Sequence, residues 1–213
     1  MNSHVPHKRR LGADGRDKPH YSFIPEPAPE KTAPDGLRLV QRFVNSTEIH
    51  ENRPTDEELV SPEALRGWLA ERELMDASEP VTDTDLARAL EVREGLRALL
   101  MAHNGEPLDR DRVERLDRVA RDVQVHVCFG EDAEPELVAE SGGVDGALAR
   151  LLAIVATAAE QGTWQRLKAC PRDCCTWAFY DRSKNRSGRW CSMDSCGNVE
   201  KARAFRERRR SGD

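Results

Sequence analysis

The sequence predicts an α+β protein: an α-rich N-terminal domain with one β-hairpin, followed by a small four-cysteine zinc module that ends in a basic helix. Three observations predict it. Apolar residues recur at helical spacing over most of residues 36–163. The period falls to two in one stretch near residue 125. Five of the six cysteines lie between Cys170 and Cys196. Charge supports the same division, because residues 164–213 hold 13 Lys/Arg against 6 Asp/Glu while the rest of the chain holds 20 against 32. A basic part joined to an acidic body is the asymmetry expected when one of them touches a polyanion and the other does something else.

Residues 1–35 are rich in Pro and charged residues with few apolar anchors, which predicts a disordered arm. Its Lys8-Arg9-Arg10 reads as a solvated basic run. Leu37, Val40 and Val44 then mark a first helix, punctuated by Asn45-Ser46. Ser61-Pro62 opens a second, with serine at the N-cap and proline at N1, and with Leu65, Trp68 and Leu69 as its buried stripe. A third runs from Thr82, with Asp85 near the positive end of its dipole, to Asn104-Gly105. Asp109 begins a fourth, with Val113, Leu116 and Val119 inward.

Val123, Val125, Val127 and Phe129 alternate with Gln124, His126 and Cys128, the pattern of a half-buried strand; Glu136 to Glu140 supply its partner after a turn at Gly130 to Glu134. A fifth helix, from about Asp145 to Gln161, stops at Gly162. No run approaches the roughly 18 apolar residues of a spanning helix, so no membrane role is expected. Met1 to Pro6 lack the charged and apolar regions of a secretory signal, which predicts a cytoplasmic protein.

In the cytoplasm thiols stay reduced, so clustered cysteines point to metal more than to disulfides. Cys170 and Cys175 have four residues between them, Cys191 and Cys196 likewise, and fifteen residues separate the two pairs. Two short-spaced pairs at that distance bring four thiolates to the corners of a tetrahedron around one structural Zn²⁺. A segment of roughly 40 residues has too small an apolar core to fold unaided. Structural zinc supplies on the order of 10–16 kcal/mol of apparent binding free energy to such a segment. The closed four-thiolate shell leaves no position for water or substrate. Lys168, Arg172 and Arg189 stand close enough in sequence to offset its charge. Cys174 lies at a spacing that zinc also accepts; Cys175 is preferred. Cys128 reads as a small core or surface residue, and His126 and His50 as lone histidines without convergent partners.

Here the chain resembles the CGNR zinc finger family. The resemblance is carried by Cys170, Cys175, Trp177, Phe179, Asp181, Ser183, Asn185, Arg189, Trp190, Cys191, Ser192, Met193, Cys196, Gly197 and Asn198, followed by Lys201 and Arg203. Val199 stands where the family has the arginine of its last letter. Upstream, Phe43-Val44-Asn45 and the Leu65 to Leu69 helix resemble the ABATE domain that precedes such fingers. The resemblance implies a stress-responsive transcription regulator whose finger binds DNA.

After the last cysteine, Val199 to Arg210 are dense in helix formers and place Val199, Ala202 and Phe205 toward the zinc core. Candidate DNA contacts are Arg182, Lys184, Arg186 and Arg189 before the helix and Lys201, Arg203, Arg206 and Arg208 on it. Trp177, Tyr180 and Trp190 beside them are either a base-stacking surface or packing for the zinc site. Asp181, Ser183 and Asn185 suit hydrogen bonds that hold a turn. The expected partners are DNA for the module and a small molecule or protein for the N-terminal domain. A zinc-stabilised protein-interaction module is the alternative. No nucleophile and base motif, phosphate loop or open metal site points to an enzyme.

Overall fold

The computed structural model describes residues 27–49, 55–130 and 134–211. Lys8-Arg9-Arg10, most of the arm and His50 lie outside them. Five helices build the body: α1 (Leu37–Val44), α2 (Pro62–Ala70), α3 (Asp83–His103), α4 (Arg110–Asp122) and α5 (Gly143–Glu160). Their starts are chemical. Ser61 Oγ accepts from the amide of Ala64, and the Asp109 carboxylate accepts from that of Arg112. Thr82 and Asp85 form a reciprocal capping box, which satisfies two amides that a helix start leaves unpaired.

Val40, Phe43, Val44, Leu65, Leu69, Leu96, Leu100, Leu148 and Leu151 are fully or almost fully buried in one cluster. The Phe43 and Trp68 rings meet edge-on, with centroids 5.5 Å apart. Helix α4 lies directly on α3 at Gly95, where a Cβ would collide with Leu116. A short antiparallel pair, β1 (Thr47–Glu48) with β2 (Asp56–Glu57), joins α1 to α2 and adds to the single hairpin expected of the body. Two residues per strand are too few to leave a periodic signal.

The expected hairpin forms from β3 (Val125–Phe129) and β4 (Pro135–Ala139), with Val127 opposite Leu137. It is not half-buried. Val125 is 43%, Val127 56% and Phe129 73% exposed, because β4 lies along α5 and no second layer among the described residues covers β3. Between β4, α5 and the start of α1 lies an open groove of about 1040 Å³, lined by Leu37, Leu74, Leu137, Ala153 and Ile154 among others.

The zinc module is not a separate body. Its first elements, a 3₁₀ turn at Trp164–Arg166 and the antiparallel strands β5 (Leu167–Ala169) and β6 (Ala178–Tyr180), place Trp164, Leu167, Ala169, Ala178 and Tyr180 in the same apolar cluster as the helices. Polar side chains of the body complete the join by pairing strand backbone. Asn45 Oδ1 accepts from the amide of Ala178 at 2.7 Å, and its Nδ2 donates to the carbonyl of the same residue at 2.9 Å. Gln41 donates to that carbonyl too, and Asn104 Nδ2 donates to the carbonyls of Ala169 and Arg189. A side-chain amide has the donor and acceptor of a peptide group, so Asn45 serves β6 as a neighbouring strand would.

Residues 27–35 depart from the disorder expected of the arm. Pro29–Lys31 form a 3₁₀ turn, the Ala33 amide donates to Gln41 Oε1 at 2.7 Å, and the Lys31 ammonium sits 5.0 Å from the centre of the Phe179 ring. The stretch has one small apolar anchor in the main cluster, Ala33, and is otherwise held by polar contacts. Since Asn45 and Ala178 are both fully buried, Asn45→Ala leaves the Ala178 amide without a partner or water and its carbonyl with Gln41 alone. The expected loss is about 1–3 kcal/mol, read as a fall in melting temperature of about 2–4 °C per kcal/mol in a chain of this size.

Candidate metal centre and basic surface

The strand pair β5–β6 carries one corner of the metal site at its end. The Cys170 amide donates to the Trp177 carbonyl at 2.9 Å, which continues the ladder past β5 and closes a loop holding Cys175. Of the second pair, Cys191 precedes and Cys196 lies within a turn of π-helix, Met193–Gly197, whose first donors, the amides of Asp194 and Ser195, are capped by Ser192 Oγ. This turn carries Cys196 inward, and α6 (Asn198–Ser211) follows it directly.

The sulfurs of Cys170, Cys175, Cys191 and Cys196 all lie within 4.8 Å of one another. Cys175 and Cys191 are 3.5 Å apart, Cys191 and Cys196 3.6 Å, and none of the six cysteines is in a disulfide. Four sulfurs at about 2.3 Å from a zinc ion stand about 3.8 Å apart at the corners of a tetrahedron, so the cluster fits one structural zinc. Phe179, Cys170 and Cys196 are buried together, with Trp190 packed against them. Cys174 falls outside the four, its neighbour Cys175 occupying the corner.

Without the ion, the thiols compete for protons. The hydrogen bond from Cys175 holds Cys170 below the ordinary thiol range, while sharing with Cys170 pushes Cys175 well above it. Four thiolates packed this closely are stable only around a cation. When bound, zinc supplies that charge; the residues supply the shape.

The cations expected to offset the thiolates are engaged elsewhere. Lys168, almost fully buried, donates all three of its ammonium protons away from the cysteines: to Asp181 Oδ2 at 2.8 Å and to the carbonyls of Arg186 and Gly188 at 2.6 and 2.9 Å. Arg172 pairs with Glu200 on α6 at 3.5 Å, and Arg189 with Glu106 of the body at 2.7 Å.

Asp181 is the centre of the 181–188 loop. Besides Lys168 it accepts from the amides of Ser183 and Gly188. A Cβ at Gly188 would lie within 3.0 Å of its carboxylate, so only glycine closes the loop this tightly. Burial raises the Asp181 pKa, but the hydrogen bonds from Lys168 and Ser183 and the Lys168 charge outweigh it and bring the group down to about 2. The turn-holding role expected of this stretch is carried by Asp181, and Ser183 Oγ adds an acceptor for the Ser187 amide.

Of the aromatic residues, Tyr180 is buried in the core and offers no stacking face, while Trp177 and Trp190 are half-buried. All eight candidate DNA-contacting cations are exposed. Arg182 donates to the Thr32 carbonyl, Arg189 is ion-paired as above, and Arg203 pairs with Glu207. Lys184, Arg186, Lys201, Arg206 and Arg208 make no ion pair among the described residues.

Helix α6 does not fold its apolar side onto the zinc core as its spacing predicts. It packs mainly against the π-turn, and Val199 and Phe205 are 40% and 55% exposed. A π-turn places the following helix one residue out of α-helical phase, which the 3.6-residue period does not anticipate. The residues of the body that hold the module, Asn45, Gln41, Asn104 and Arg97, carry no motif for a metal site. Their signal is a polar residue within or just after an otherwise apolar helix face.

Two outcomes follow from this geometry. The purified chain should hold one zinc per chain by metal analysis, retained in Cys174→Ser and lost or sharply weakened in Cys175→Ser. Acid should release the ion while Asp181 is still charged, since each proton taken by a thiolate removes a ligand. The Asp181 pKa is depressed, so its stabilisation is present above about pH 4, near its unfolded pKa, and is lost only as pH falls toward 2. A metal indicator followed alongside circular dichroism should therefore register zinc loss above pH 4.

Comparison with known families agrees with the geometry. The family profile of the CGNR zinc finger matches residues 166–209, and that of ABATE, described as a "putative stress-induced transcription regulator", matches residues 37–161. None of the curated proteins matches the chain. The second profile alone spans more than half of the 213 residues, and the four clustered cysteines fall within the first. The chain belongs to the ABATE family and ends in a CGNR zinc finger.

Proposed function

We propose that the protein is a non-enzymatic transcription regulator that binds DNA through the basic surface of its zinc finger. The observation that carries this reading is α6. It is a helix of 14 residues that packs mainly against the π-turn and is exposed along most of its length. On a 3.6-residue period Lys201, Arg206, Arg208, Arg209 and Arg210 spread over more than half of its circumference. The two acids share one strip and are already paired, Glu200 with Arg172 and Glu207 with Arg203.

A helix so arranged can lie along a phosphate backbone without bringing an unpaired carboxylate to it. Zinc fixes where the helix starts and takes no part in chemistry. Lys184 and Arg186, on the loop built around Asp181, extend the positive surface. Val199 contributes no charge at the head of the helix, so the cations that remain bear the whole of the electrostatic attraction. The description of the ABATE family supports the regulatory half of this reading, with the acidic body receiving a small molecule or protein as signal.

The test uses the zinc-loaded full chain, because Leu167, Ala169 and Ala178 would be laid bare in an isolated finger. Its affinity for duplex DNA, followed by fluorescence anisotropy, should fall steeply as salt rises. Replacing Arg206 and Arg208 with alanine should lower the slope of log K against log salt by about 0.9 for each phosphate that no longer meets a cation. Binding that is absent, or insensitive to salt, overturns the proposal. Capture of a protein by an α6 whose cations have been replaced would instead favour an interaction module, for which the exposed Phe205 offers an anchor.

A further inference from the structure

Helix α6 has an inner and an outer side, and the two differ in chemistry. At about 100° of turn per residue, Glu200 and Ala204 lie on one side, and they are the only half-buried residues among those described in α6. Glu200 pairs from that side with Arg172, and Glu207, next to it, pairs with Arg203. Both carboxylates of the helix are therefore turned from its outer side and occupied. The outer side is centred on Ala202, with Val199 and Phe205 about 60° to either side of it. All three are exposed.

This apolar strip is bordered by cations on both edges. By the same period Lys201 and Arg208 follow one edge, and Arg203 and Arg210 the other. Arg206 and Arg209 stand within the strip, and the Arg209 guanidinium lies over the Phe205 ring, 5.8 Å from its centre. Phosphates alone would satisfy the edges and leave the apolar middle in water, where its exposure costs free energy. The complementary surface is one that is apolar along its middle and anionic along both sides. The major groove of duplex DNA has that form, with phosphates along both walls and the C5-methyl group of thymine at its floor. The groove is about 12 Å wide and admits one α-helix, and the 14 residues of α6 extend for about 21 Å.

We infer that α6 enters the major groove with its Val199–Ala202–Phe205 strip inward, and that Phe205 and Ala202 read the methyl groups of thymine. The cations on the two edges then meet the phosphates of the two strands. Phe205 carries no charge, so what it adds is preference among sequences and not the attraction to DNA as such. The inference rests on the reading of α6 as the DNA-binding element, and a pair of matched duplexes separates the two.

One duplex alternates adenine and thymine; in the other, deoxyuridine replaces every thymine. They have the same phosphates and the same hydrogen-bonding groups and differ only in the methyl. In fluorescence anisotropy the zinc-loaded full chain should bind the thymine duplex more tightly, by about fourfold for each methyl group covered. Phe205→Ala should bind the two alike, with the slope of log K against log salt unchanged because no cation is lost. Phe205→Gln, which places another good helix former at this exposed position, should do the same and serves if Phe205→Ala loses its zinc or its helical circular dichroism. Salt-dependent binding by the wild-type chain that does not distinguish the duplexes overturns the inference and leaves the DNA reading standing, as does a preference that survives both substitutions. Affinity that depends on Phe205 but not on the methyl marks a wedge in the minor groove and overturns it too. If neither duplex is bound, as for a helix that docks an acidic protein, the DNA reading falls and the inference with it.

Discussion

The pairing of Asn45 with the backbone of Ala178 is the interaction on which the architecture turns. The strands β5 and β6 are three residues each, too short to persist alone in water. On one side they are held by the thiol cluster at Cys170 and Cys175, and on the other by the side-chain amides of Asn45, Gln41 and Asn104. The body supplies partners for backbone that would otherwise be buried unsatisfied, and the metal fixes the loop ends that the body does not reach. The stability of the helical body and the affinity of the finger for zinc are therefore linked: an ion that binds only the folded module shifts the folding equilibrium of the chain to which the module is fused.

That linkage explains how the charged residues of the module divide. Lys168 and Asp181 are internal; they neutralise one another and tie the 181–188 loop to β5, where a lone ammonium or carboxylate would be costly. Arg97, also buried, donates to the Thr176 carbonyl beside Cys175 and so brings α3 into the metal loop. The exposed cations divide in turn: Arg182 and Arg189 tie back to Thr32 and Glu106, while Lys184, Arg186, Lys201, Arg206 and Arg208 make no ion pair among the described residues. Basic composition alone does not separate the two groups, since Lys168 and Lys184 look alike in a count.

Much of this is legible in the sequence, and the parts that are not share a cause. Helix starts at Ser61, Thr82 and Asp109 follow from local capping chemistry, and the four ligand positions follow from spacing, because both are set by residues close in the chain. Residues 199–210 are helical as their composition predicts, but they face differently. The π-turn ahead of them rephases the helix, and that turn answers to the position of Cys196 in space. Likewise the alternation in β3 predicts a strand with one apolar face, but not that the chain leaves this face open. The polar clamp is the extreme case: Asn45 looks like helix punctuation, and its role depends on β6, more than 130 residues away.

The route between body and basic helix is narrow. Helix α6 packs mainly against the π-turn, and a side-chain ion pair, Arg172 to Glu200, ties it back to the loop of the first cysteine pair. The body reaches only one step short of it, to the backbone of Arg189 and Trp190, where Asn104 and Lys31 donate to carbonyls just before Cys191. One route from the body to α6 runs through those carbonyls and then through the thiol cluster. With zinc in place, four bonds to one ion hold Cys191 and Cys196 in fixed relation, so a displacement at Trp190 turns the π-turn and its helix together. Without it the same displacement has nothing rigid to act on. An ion held by the four cysteines would thus be a stiff element between the acidic body and α6.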